Sequence, residues 1–157
     1  MRTLLRVVLA IAAAGGLAVA AAGTPDPVVG TWQLDVAKSK FISGPALKSQ
    51  TRTYSQAGDS ITAVIKSMSA DGTETTTQST YKLDGKDFPV TGAPNWDTLS
   101  AKQVDSSTTE FTLKKGGKTV GTSSRTVSKD GKTLTSRQTM TNAKGEKSQS
   151  ELVLDKK

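Results

Sequence analysis

The chain has 157 residues, with 21 Lys+Arg against 14 Asp+Glu and neither histidine nor cysteine. Without cysteine there are no disulfides, thiolate nucleophiles or zinc-thiolate sites, and without histidine there are no imidazole ligands and no Ser-His-Asp triad. The length is that of one domain.

Met1–Arg6 is a short basic start, and every residue from 7 to 22 is Ala, Gly, Val, Leu or Ile. Both 18–20 (Ala-Val-Ala) and 20–22 (Ala-Ala-Ala) offer the small −3/−1 pair that signal peptidase requires. Residues 1–22 are therefore expected to be a signal peptide, cleaved after Ala20 or Ala22, with a periplasmic or secreted bacterial product. The rival reading, an uncleaved anchor, needs about 20 strongly apolar residues, and this run is shorter and rich in Ala and Gly. No cysteine follows it to carry a lipid. Arg2 and Arg6 leave with the segment, so a small positive excess remains, spread thinly along the chain. Nucleic-acid binding calls for clustered basic residues interleaved with stacking aromatics. The densest group, Lys114-Lys115-Gly-Gly-Lys118, reads as a solvated turn, and no nucleic-acid partner is expected.

Beyond Gly23 the chain reads as a meander. Turn signals recur at Gly58, Asp71-Gly72, Asp84-Gly85, Gly92, Asp105-Ser106, Gly116-Gly117, Asp130-Gly131 and Gly145. Asp-Gly and Gly-Gly supply the positive φ angles of tight hairpins. The intervening segments are rich in Thr, Val, Ile and Tyr, which favour strands. Ten strands are expected: 28–37, 47–56, 60–69, 73–83, 86–91, 97–104, 108–115, 118–128, 132–141 and 146–155. In several of them apolar and polar residues alternate. Trp32, Leu34 and Val36 share one face of the first strand, as do Phe111 and Leu113, or Leu152 and Leu154, in later ones. That is the pattern of antiparallel sheet buried on one side. Consecutive long hairpins need their edges closed. The fold expected over 28–157 is an all-β, single antiparallel up-and-down barrel of about ten strands, with a two-sheet sandwich as the alternative.

Leu, Ile, Val and Phe make up only about 17% of residues 23–157, a low share for a folded domain. Disorder is disfavoured by the small net charge, the abundant strand formers and the even turn spacing. The composition instead predicts an interior lined partly by Ser and Thr, with Thr73, Thr75, Thr77 and Ser79 running inward beside Tyr81 and Leu83. Ten strands enclose more space than these side chains fill, so a water-lined cavity is expected. A membrane-spanning barrel needs an outward apolar band with aromatic girdles. Seven aromatics and charged outward faces do not make one.

Gly30-Thr31-Trp32-Gln33-Leu34 resembles the Gly-x-Trp opening of the calycins, the lipocalins and fatty-acid-binding proteins. The run Gly117-Lys118 … Arg125 … Asp130-Gly131-Lys132-Thr133-Leu134 … Asp155-Lys156 is similar to the last third of fatty-acid-binding proteins. More closely, Gly-Thr-Trp-x-Leu-x-x-Ala-Lys-Ser-Lys-Phe, Gly44-Pro45 and Asp84-Gly85-Lys86-Asp87-Phe88-Pro89-Val90-Thr91-Gly92 resemble a group of small secreted bacterial lipocalin-like proteins of unknown function. The resemblance implies a barrel that holds a small amphipathic or hydrophobic molecule. In fatty-acid-binding proteins an Arg and a Tyr on the last strand, with an earlier Arg, hold the carboxylate. Here the last-strand positions are Leu152 and Leu154, the earlier Arg matches Arg125, and 37–47 is too short for a pair of lid helices.

The candidate ligand-contacting residues are Trp32, Tyr54, Tyr81, Phe111 and Arg125. Trp32 reads first as a plug at one barrel end, and second as a ligand contact. Arg125 reads first as an exposed arginine at the far end of a hairpin; its alternative is to pair with an anion inside the barrel. Arg52, beside Tyr54, and Arg137 have the same two readings. Catalysis has little to stand on. Most aspartates sit in turns (Asp59, Asp71, Asp84, Asp105, Asp130), where they cap the local backbone, and Asp84 and Asp87 have no accompanying base or nucleophile. No enzyme activity, cofactor or metal is expected, and a monomer is. The alternative function is an envelope interaction module that binds a protein or glycan through its loops, with Trp96 exposed in the loop Gly92–Asp97.

Overall fold

The computed structural model describes residues 23–157. The expected signal peptide, with both cleavage points, lies outside the described residues. Ten strands follow one another: β1 (Gly30–Ser43), β2 (Leu47–Ala57), β3 (Ser60–Ser69), β4 (Glu74–Tyr81), β5 (Asp84–Thr91), β6 (Thr98–Gln103), β7 (Thr108–Lys115), β8 (Lys118–Val127), β9 (Thr133–Thr141) and β10 (Lys147–Lys156). Each pairs antiparallel with its chain neighbours, and β10 returns to β1, closing a barrel with no sandwich break. Closure is direct: Trp32 stands opposite Lys156 and Leu34 opposite Leu154. No described helix is long and apolar enough to cross a membrane.

The hairpins form where the turn residues demand them. Asp71, Asp84, Asp105 and Asp130 each accept the backbone N–H of the residue two further on, at 2.8–3.0 Å. Those bonds hold the carboxyls of Asp71 and Asp105 below the usual aspartate range. Asp59 departs from the expected turn-capping role: its carboxylate reaches Lys82 Nζ at 2.9 Å.

The first strand differs most from expectation. It starts at Gly30 and runs on to Ser43, because a bulge between Asp35 and Lys40 inserts extra residues against β10. Ser39 secures the bulge: its hydroxyl donates to Asp35 O at 2.6 Å and accepts the Val153 N–H at 2.9 Å. Lys38 bridges Asp35 and Asp155 outside it. A bulge disrupts the two-residue alternation. Val36, expected inside beside Trp32 and Leu34, is therefore 46% exposed, and Phe41 packs against the core instead.

The two ends of the barrel are unlike. At the end where β1 begins, Val28, Trp32, Ile61, Tyr81, Leu134 and Leu154 are fully buried. Trp32 is the plug: its Nε1 donates to Val28 O at 2.7 Å, and Lys156 Nζ lies 5.1 Å from its ring centroid. At the other end polar residues replace the packed core. Thr75, Thr77 and Ser79 face in from β4 as expected, but Thr73 precedes the strand and is exposed. Strands β4 and β5 are joined by only two register pairs, Gln78 with Thr91 and Ser79 with Val90.

Candidate functional site: the barrel interior

The unfilled end opens into a cavity of about 330 Å³. Its mouth is framed by Phe41, Ser43 and Pro45 after the bulge and by Ala93, Pro94 and Trp96 from the β5–β6 loop. One wall carries Ser67, Thr75, Thr77 and Ser79; another carries Leu99, Phe111 and Leu113. The floor is made by Arg52 and Tyr54 on β2, Tyr81 at the end of β4 and Arg125 on β8.

Of the five candidate residues, Tyr54, Tyr81, Phe111 and Arg125 meet here, and Trp32 does not. It lies beneath the floor, opposite Arg52 in the β1–β2 register. The favoured sequence reading of Arg125 is overturned: only 3% of the residue is exposed. Its Nη1 donates to the Tyr81 hydroxyl at 2.8 Å and its Nη2 to Thr109 Oγ1 at 3.3 Å. The guanidinium stacks over Tyr54 and Phe111, at 5.0 and 5.2 Å from the two ring centroids. Phe111 in turn meets Tyr81 edge to face at 5.7 Å. Arg52 is likewise buried, at 8% exposure, with Nε donating to Gln50 Oε1 at 2.6 Å. Gln50 passes the contact on to Ser67 Oγ at 2.9 Å. Arg137 keeps its expected surface place, bonded to Glu151 at 2.7 Å. Trp96 is the other correction: it is half-buried, packed against the core and lines the cavity. Asp97 fixes its loop by accepting the Gly116 N–H at 3.0 Å.

The interior place of Arg52 is only the second sequence reading, although the signal for it was present. Gln50, Arg52 and Tyr54 share one parity, and a buried Tyr54 carries the other two inside. Arg125 likewise stands opposite Thr109, two residues from inward-facing Phe111.

The two phenols feel opposite fields. Burial pushes Tyr81 up to about 12, with Arg125 only partly offsetting it. Burial also acts to raise Tyr54, but Arg52 and then Arg125 outweigh it and hold that phenol below the ordinary tyrosine value. The linked stabilities have opposite signs. The Tyr81 contribution is complete below the unfolded value near 10 and is lost as pH rises through about 12. The Tyr54 contribution is complete above the unfolded value and is lost as pH falls through the lower folded one. These are the chain's only tyrosines. A spectrophotometric titration should therefore show two steps, one below and one above pH 10, with the lower absent in Tyr54→Phe. A single two-proton step near 10 contradicts this floor geometry.

Chemistry that needs a carboxylate finds none at the cavity. Asp87 lies outside, bonded to Lys114 Nζ at 2.7 Å, and Glu110 is exposed on the outer face of β7. Among the described residues no three acids gather into a metal-ligating group.

Solved barrels share this architecture. The structure described as EF1p2_mFAP2b bound to DFHBI is similar with a TM-score of 0.53 and 9% identity, over 83% of this chain and 94% of that one. Rv2717c from M. tuberculosis is similar with a TM-score of 0.54 and 13% identity, over 83% and 93% of the two chains. At these identities the likeness is one of fold. No family model matches the sequence, and no curated protein matches it.

Proposed function

We propose that this barrel is a periplasmic or secreted binding protein that holds a small amphipathic or hydrophobic molecule in its interior and does no chemistry on it. The observation that carries this reading is the cavity itself, about 330 Å³ with mixed walls and a cationic floor. That volume lies at the lower end of small-molecule sites, which run from about 300 to 1,000 Å³. A barrel of the same fold with DFHBI bound supports the reading at the level of architecture. The basic, apolar start of the chain supports export. The alternative, a loop-mediated interaction module, loses its anchor because Trp96 turns toward the cavity.

Solvent extraction of the protein purified from its own cells, followed by mass spectrometry, tests the proposal. A small molecule recovered in near-stoichiometric amount, and absent from extracts of a Ser79→Trp variant that fills the wall, is the expected result. A native protein that yields nothing and takes up no hydrophobic fluorescent probe contradicts it.

A further inference from the structure

We infer that the floor of the cavity is an oxyanion subsite, in which Arg52 and Arg125 together take the carboxylate of a compact amphipathic acid. The inference rests on the interior being a small-molecule site and names the chemistry of its deep end.

Two buried guanidiniums are costly unless their charges are met. All 14 acids of the chain lie within the described residues. None of the five ion pairs among those residues involves Arg52 or Arg125, and Asp26, whose field reaches Arg125, forms no salt bridge with it. No buried side-chain nitrogen or oxygen among the described residues lacks a partner, so the guanidinium donors that no protein group takes are open to the cavity. Of the ten N–H donors that two guanidiniums carry, three donate to Gln50, Tyr81 and Thr109. The Arg125 guanidinium lies over the Tyr54 ring, 5.0 Å from its centroid, and Arg52 shares the inward face of β2 with Tyr54. Strands β2 and β8 are far apart around the ring, so the two cations converge on the barrel axis from different sides. Planar forks of this kind match the two oxygens of a carboxylate.

The walls define the rest of the molecule. Hydroxyls of Ser67, Thr75, Thr77 and Ser79 line the cavity from β3 and β4, and Leu99 and Phe111 line it from β6 and β7. A short aromatic or alicyclic acid fills the apolar side, and bridging water or polar substituents meet the hydroxyls.

Calorimetric titration with 2-naphthoate and with its neutral isostere 2-naphthamide separates the possibilities. The acid is expected to bind wild type at least tenfold more tightly than the amide. Arg52→Gln and Arg125→Gln should each abolish that preference while leaving amide affinity within about twofold, and Arg52→Lys should keep part of it. Should the glutamine variants not fold, the wild-type ratio still decides. Bound naphthoate must also move the lower phenol step of Tyr54 to higher pH, which the amide must not do. Equal binding of the two probes to wild type overturns the anion subsite and leaves interior binding standing. Binding of neither overturns both.

Discussion

Trp32→Ala should lower the unfolding free energy by about 3–5 kcal/mol, the range for deleting a fully buried large aromatic side chain. Domains of this size are stable by only about 5–15 kcal/mol, so the variant should sit near the edge of folding. Several losses coincide at this position. The indole is wholly buried and its Nε1 bond to Val28 O disappears, leaving that carbonyl orphaned. Trp32 also stands opposite Lys156 on β10 and Arg52 on β2, so it secures the closing seam and supports the cavity floor together. Urea denaturation is the measurement. Trp32→Phe should retain most of the stability, since it loses the hydrogen bond and some volume but keeps a ring. A change of less than about 1 kcal/mol for Trp32→Ala would show that the plug does not hold this end of the barrel.

Gly92→Ala should cost about 3 kcal/mol, the left-handed backbone penalty with overpacking added, and should alter the cavity mouth as well. Gly92 has φ +77°, and a Cβ there would overlap the backbone carbonyl oxygen of Thr76. A side chain in the way can rotate; a strand carbonyl cannot. Relief requires β4 and β5 to separate at their two register pairs, and the Trp96 loop begins at that point. Gly58→Ala is the control: its φ is +61° but no atom lies within 4 Å of the added Cβ. It should cost only the left-handed backbone penalty of about 1–2 kcal/mol. Thermal unfolding of both variants, with Trp96 fluorescence as the reporter of the mouth, checks the difference. Equal destabilisation at the two glycines would mean that backbone conformation alone, and not the close approach, sets the cost.

The order and number of strands were legible because the turns are written in Asp-Gly and Gly-Gly pairs, where backbone conformation is a local property. Nine strands begin and end within about two residues of expectation. The exception is β1, whose bulge depends on Ser39 meeting Val153 across the closing seam. A contact between residues at opposite ends of the chain leaves no local mark. The polar interior was legible too, since Thr75, Thr77 and Ser79 share the parity of Tyr81.

The site was only half readable. Tyr54, Tyr81 and Phe111 announced themselves as large inward residues. Arg125 is among the candidates but reads first as exposed, because a charged residue near a hairpin end looks solvated when the strand is considered alone. In the closed barrel that end lies over the plug, and Tyr81, Tyr54 and Phe111 arrive from other strands to receive the guanidinium. Trp96 was misread for a similar reason: its loop folds over the mouth through Asp97, whose partners lie on β5, on β7 and just beyond it.

Heteronuclear NMR of the protein titrated with 2-naphthoate tests most directly whether the interior is where a ligand goes. Shifts should concentrate on inward positions around the cavity, among them Ser79, Leu99, Phe111 and Arg125, while outward neighbours such as Thr80 and Glu110 stay still. Saturating shifts confined to the outer faces or the loop tips would place binding elsewhere and empty the barrel of the role given to it.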